Sequence, residues 1–123
     1  MEHLQLHDGE YKFVSLVWEA EPIRSGELAH LCRERLGWKK STTYTVLKKL
    51  CAKEILQNQD SVVTALVGKD QVQQYESRAV MERTFNGSLP RFLTAFLQDR
   101  TLTEQEAKEI KALIDQHCGE HSS

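Results

Sequence analysis

Apolar positions along the chain change period several times, and each change marks an element. Residues 8–20, DGEYKFVSLVWEA, set Tyr11, Val14, Leu16, Val17 and Trp18 close to an i, i+3, i+7 stripe. That spacing predicts a helix with Asp8 as its N-cap and Pro22 breaking the chain beyond it. A second helix, capped by Ser25, runs to about Leu36 and turns Leu28, Leu31, Cys32 and Leu36 inward. Gly37 stands in the usual position after a helix C-terminus. A third helix, from about Ser41 to Lys53, carries Thr43, Val46, Leu47 and Leu50 on one face. The short link GWKK between the second and third gives a helix-turn-helix layout.

The pattern then shifts towards strands. EILQNQ, a polar Asp60-Ser61 and VVTALV read as two short strands joined by a turn. A hairpin directly after a helix-turn-helix is the winged-helix arrangement. Helical spacing returns after Gly68. A helix from Lys69 to about Phe85 contains Val72, Tyr75, Ala79, Val80 and Met81, and FNGS ends it as a turn. Ser88 opens a further helix with Pro90 in its first turn, where proline is tolerated. Thr103 and Glu106 have the spacing of a capping box for a last helix to about Gln116. The tail, HCGEHSS, is expected to fray. The expected fold is mainly α with a small β-hairpin, a winged helix-turn-helix followed by C-terminal helices. Its two parts are residues 1–68 and 69–123.

With 123 residues, 40% of them apolar, the chain can bury a core without disulfides or metal. No apolar run reaches the roughly 18 residues of a membrane span. The N-terminal MEHLQLHDGE lacks the basic and apolar regions of a signal peptide, so a cytoplasmic location is expected. Cys32, Cys51 and Cys118 have no C-x-x-C spacing and read as free thiols, the first two as small core residues.

Net charge is only −2, but it is unevenly spread. Residues 22–54 hold eight Lys/Arg against three acids, a net of +5, whereas residues 1–21 net −4. The positive charge lies on the second and third helices, as on a surface that tracks phosphates. A solvated helix face is the plainer reading of the same lysines. The outward side of the third helix adds a second signal. Ser41, Thr42, Tyr44, Thr45, Lys48 and Lys49 lie away from its apolar stripe. Threonine is a mediocre helix former, so propensity does not account for it there. Short hydroxyl side chains let a helix approach a major groove and meet base edges. Lys39, Lys40, Lys48 and Lys49 then fall where flanking phosphates would be. Alternatively the threonines only cap or bond back to carbonyls.

No catalytic motif is present: no G-x-G-x-x-G, P-loop, H-E-x-x-H or G-x-S-x-G. The histidines at 3, 7, 117 and 121 lie near the ends, and His30 has no Cys or Asp converging on it. Cys118 with His117 and His121 is a weak metal constellation, read as solvated side chains. Neither metal nor cofactor is expected, and the chain does not read as an enzyme.

Two amphipathic helices follow an already complete core. Leu89, Phe92, Leu93, Phe96 and Leu97 form one apolar stripe; Ala107, Ile110, Leu113 and Ile114 form another. A second copy of the chain is the economical cover, with packing back on the same chain as the alternative. A two-fold protein would suit a two-fold DNA site.

The segment GWKKSTTYTVLKKLCAKEIL resembles the recognition-helix region of the penicillinase-repressor family, roughly W-K-x-x-T-V-x-T-L-L-x-R-L-x-x-K-G. Trp38, Lys39, Thr42, Thr45, Leu47, Leu50 and Lys53 stand in matching places. Trp18, Pro22 and GEL at 26–28 also fit. FNGSLPRFLTAFL and LTEQEAKEIKALI resemble the family's dimerisation region, so the likeness covers almost the whole chain. It implies a homodimeric winged-helix repressor bound to double-stranded, palindromic operator DNA, with residues 1–68 binding DNA and residues 69–123 dimerising. In antibiotic-responsive members a membrane sensor peptidase triggers cleavage of an Asn-Phe bond, where this chain aligns Ala95-Phe96. In copper-responsive members a cysteine cluster senses metal, and its C-x-C pairs are absent here. The hairpin NQDSVV also lacks the basic residues usual in the family. A winged helix serving only as a protein-interaction module is the alternative from another class.

Overall fold

The computed structural model describes residues 4–119. The first helix, α1, spans Asp8–Ala20. His7, not Asp8, is its N-cap, and its N–H donates to the Glu10 carboxylate at 3.0 Å. Asp8 instead occupies the first helical position, where its charge complements the positive end of the helix dipole. The helix buries a wider face than the predicted stripe: Phe13, Val14, Leu16 and Val17 are enclosed, while Tyr11 and Trp18 are half-buried at its margin. The indole N–H of Trp18 donates to the Val67 carbonyl at 3.0 Å, fastening the first helix to the end of the hairpin.

A two-residue strand, β1 (Ile23–Arg24), follows Pro22 and leads directly into α2 (Ser25–Leu36). Arg24, held extended by strand pairing, takes the N-cap position that the sequence suggested for Ser25. Ser25 starts the helix and is buried; its N–H donates to the Ser61 carbonyl at 2.8 Å. Gly37 ends α2 at φ 70°, a left-handed conformation that glycine adopts without a Cβ clash.

The third helix, α3, spans Lys40–Ala52 and buries Thr43, Leu47 and Leu50, with Val46 half-buried beside them. Glu54 just beyond it is also left-handed, at φ 63°. The Ile55 N–H reaches back to the Leu50 carbonyl at 3.0 Å, which closes the helix end.

Strands β2 (Leu56–Gln59) and β3 (Val62–Ala65) form the expected hairpin, with Asp60 and Ser61 at φ 53° and 67°. Positive φ at both central residues matches a hairpin turn whose twist follows the strands. The sheet has three antiparallel strands in the order β1-β3-β2, one more than the hairpin alone. The extra strand pairs Ile23 with Val63 and Arg24 with Val62. Phe13, Val17, Leu28, Cys32, Leu47, Leu50, Ile55, Leu56 and Val63 join α1, α2, α3 and the sheet in one core.

Helices α4 (Lys69–Phe85), α5 (Leu89–Phe96) and α6 (Glu104–His117) complete the described chain. Asn86 and Gly87 make the turn after α4 at φ 52° and 79°. Ser88 Oγ accepts from the Arg91 N–H at 3.2 Å, and Thr103 Oγ1 accepts from the Glu106 N–H at 3.0 Å, so both predicted caps are formed. Only Val72 of α4 is fully buried, and α5 and α6 bury none of their described residues. No helix among the described residues is long and apolar enough to cross a membrane.

Candidate nucleic-acid interface

The third helix has two chemically different sides. Thr43, Leu47 and Leu50 hold it in the core, so the opposite side is turned to solvent by packing. Lys39, Lys40, Ser41, Thr42, Thr45, Lys48 and Lys49 are all exposed. Trp38 fixes the approach to this helix: its indole stacks on Phe13, with ring centroids 5.6 Å apart and planes 15° from parallel. The indole is therefore a packing anchor for the turn.

Two residues of the expected surface are engaged elsewhere. Tyr44 is half-buried against the core, and its hydroxyl approaches Ser25 Oγ at 3.5 Å. Its ring lies 6.0 Å from the Lys40 ammonium, so the side chain borders the exposed face. Lys49 stays exposed, but its ammonium pairs at 3.0 Å with the Glu10 carboxylate of α1. Sequence spacing could not show this, because Glu10 lies in a different helix.

Glu10 is 7% exposed. Burial raises its pKa, but the hydrogen bond from His7 N–H and the Lys49 contact outweigh that, with Lys53 adding a smaller pull. The carboxyl therefore sits below its ordinary 4.5. A depressed folded-state pKa contributes stability above the unfolded value, and that stability is lost as pH falls through the folded one. Glu10→Gln is expected to cost about 1–2 kcal/mol at pH 7. The gap between the two proteins should close as pH drops below about 4.5 in urea titrations. A gap that is constant down to pH 2 would contradict the charged role.

The wing carries no cation. Between residues 55 and 68 the only charged side chain is Asp60, at its tip. Gln57 Nε2 donates to Gln59 Oε1 at 2.7 Å on one side of β2. Asn58, on the other side, shares a notch of about 390 Å³ with Tyr44, Leu47, Lys48 and Cys51. Burial pushes the Cys32 and Cys51 thiols up, leaving little reactive thiolate. No cluster of metal-binding side chains exists among the described residues; His121 of the weak tail constellation lies outside them.

The C-terminal helices expose apolar area. Leu89 is 55% exposed, Phe96 48%, Leu113 54% and Ile114 52%. Phe92, Leu93, Leu97 and Ile110 are half-buried. Phe92 packs edge-on against Phe85 at 5.3 Å and stacks on Phe96 at 5.7 Å, with the Arg100 guanidinium 4.2 Å above the Phe96 ring. Ala95-Phe96 lies in the last turn of α5.

A helix-turn-helix with an antiparallel wing, presenting a hydroxyl- and lysine-bearing third helix, places the molecule among winged-helix DNA-binding proteins. Comparison with known proteins narrows the class. The family model for the penicillinase repressor matches residues 6–116, and the chain belongs to that family of DNA-binding transcriptional repressors. It is 22% identical to the penicillinase repressor of Bacillus licheniformis over 117 residues, covering 92% of this chain and 91% of the relative.

Proposed function

We propose that the protein is a homodimeric repressor that reads a palindromic operator through α3 lying in the major groove. The observation that carries this reading is the division of α3 into a core side and an uncovered side of short hydroxyls flanked by lysines. In this reading Ser41, Thr42 and Thr45 face bases, with Tyr44 at the margin. Lys39, Lys40 and Lys48 hold phosphates. Lys49 drops from that set because Glu10 already neutralises it. Residues 1–68 bind DNA and residues 69–123 join the protomers.

The dimer reading is supported by the uncovered apolar residues of α5 and α6. Leu89, Phe92, Leu93, Phe96, Leu97, Ile110, Leu113 and Ile114 are its interface. A groove of about 440 Å³, lined by Val80, Met81, Leu89 and Phe92, lies between α4 and α5 and would receive the second copy. Leu89, Phe96, Leu113 and Ile114 are about half exposed in the single chain, so a partner that encloses them would gain roughly half of the 1.5–3 kcal/mol of a full burial from each, on the order of 1 kcal/mol.

Salt titration tests the assignment of phosphate contacts. Lys48→Ala should weaken binding to all duplexes and reduce the slope of log K against log salt by about one unit per protomer. Lys49→Ala should change that slope far less. Equal losses from the two substitutions would remove the ion pair's role, and an unchanged slope for Lys48→Ala would take Lys48 off the interface.

A further inference from the structure

A second basic feature flanks α3, and neither the helix stripe nor the wing accounts for it. Gly26, Ala29, His30 and Arg33 fall on one side of α2, at helical spacing. With Lys40, the first residue of α3, they line a notch of about 190 Å³. Its floor is small: a Cβ built on Gly26 meets nothing within 4 Å. Arg33 and Lys40 are exposed, and neither has an acidic partner among the described residues. His30 at the rim is turned towards Glu34, at 3.4 Å. The other arginine at this end of the helix, Arg35, is differently placed: it pairs with Glu19 of α1 at 3.2 Å.

We infer that this notch seats one phosphate of the DNA backbone, and that Arg33 is a phosphate-holding residue alongside Lys40. The inference rests on α3 lying in the major groove, since the first helix of a helix-turn-helix then crosses the backbone beside it. Two cations without an acidic partner among the described residues, lining a space that no carboxylate lines, suit an oxyanion, and a guanidinium can grip two phosphate oxygens at once. The glycine floor lets the phosphate approach the helix closely. The contact positions the protein on the duplex and carries no sequence preference.

Arg33→Gln and Arg35→Gln remove the same charge from the same helix, so their comparison separates a local contact from bulk charge. Both are measured by fluorescence anisotropy with a native and a scrambled duplex over a range of salt. Arg33→Gln should lower the salt slope by about 0.9 per protomer and weaken both duplexes by the same factor. Arg35→Gln should leave the slope nearly unchanged. Gly26→Leu fills the notch at unchanged charge and with better helix propensity, so it should weaken binding severalfold while the fold persists. Equal slope changes from the two arginines, or wild-type affinity for Gly26→Leu, would overturn the inference. So would an unchanged slope for Arg33→Gln together with inorganic phosphate shifting the Gly26 amide resonance in the free protein, which would make the notch a free-anion site. Wild-type protein that shows no salt-dependent DNA binding at all would instead overturn the parent reading.

Discussion

Phe96→Asp is expected to turn the proposed dimer into a monomer in sedimentation and to weaken binding to the proposed operator at least about 100-fold. The side chain is half exposed in a single chain, yet it continues a stacked aromatic row from Phe92. Covering that row with a second copy would bury it twice, once per protomer. A carboxylate at 96 would then have to lose its water at two places without a matched partner across the interface. The monomer itself should keep its fold, because α5 buries no side chain in it. Helical circular dichroism close to wild type would confirm that. The loss in DNA affinity follows from geometry: two linked half-site readers bind far more tightly than one, without any new contact. A variant that still sediments as a dimer would refute the interface on α5 and α6.

The largest effect on stability is expected from Phe13→Ala. Phe13 is fully buried and its ring supports Trp38, the residue that sets the turn before α3. Truncating a buried phenylalanine costs about 3–5 kcal/mol through lost transfer energy and the cavity left behind. Loss of the aromatic stack adds roughly 0.5–1.5 kcal/mol. Domains of this size are commonly stable by about 5–15 kcal/mol, so most of that margin would be consumed. Urea unfolding should show the loss as a lower midpoint with a similar slope. A change under about 1 kcal/mol would mean that the Phe13–Trp38 stack does not hold the turn.

Local chemistry made much of this fold legible. The caps at Ser88 and Thr103, the glycine ending α2 and the Asp60-Ser61 turn are decided within a few residues, and each lies where the pattern put it. The inward face of α3 was legible for the same reason. What the pattern missed depends on pairing across the chain. The strand β1 is two residues long, too short for alternation to register, and exists because β3 lies beside it. That pairing also moves the cap of α2 from Ser25 to Arg24. Phe13 lies off the narrow stripe drawn through α1, but α1 is covered on a broad arc, so a wider face is apolar.

The candidate interface divides along the same line. Exposure of Ser41, Thr42, Thr45 and Lys48 follows from the helical period alone. The engagement of Lys49 does not, because its partner Glu10 is an ordinary first-turn acid until α1 and α3 are packed together. The half-burial of Tyr44 is of the same kind, since it depends on how α2 crosses α3 near Ser25. Arg33 and Arg35 are indistinguishable as charges in the sequence. Only the tertiary arrangement pairs one with Glu19 and leaves the other beside Lys40.

Sequence reading by α3 is tested by fluorescence anisotropy with the duplex immediately upstream of the protein's own gene, run beside a scrambled duplex at two salt concentrations. Salt-sensitive binding to both is expected, with the native duplex bound much more tightly, by about 4 kcal/mol or more. Equal affinity for the two duplexes, repeated across a genomic library, would contradict sequence reading by α3 and leave its hydroxyl-bearing face to some other partner.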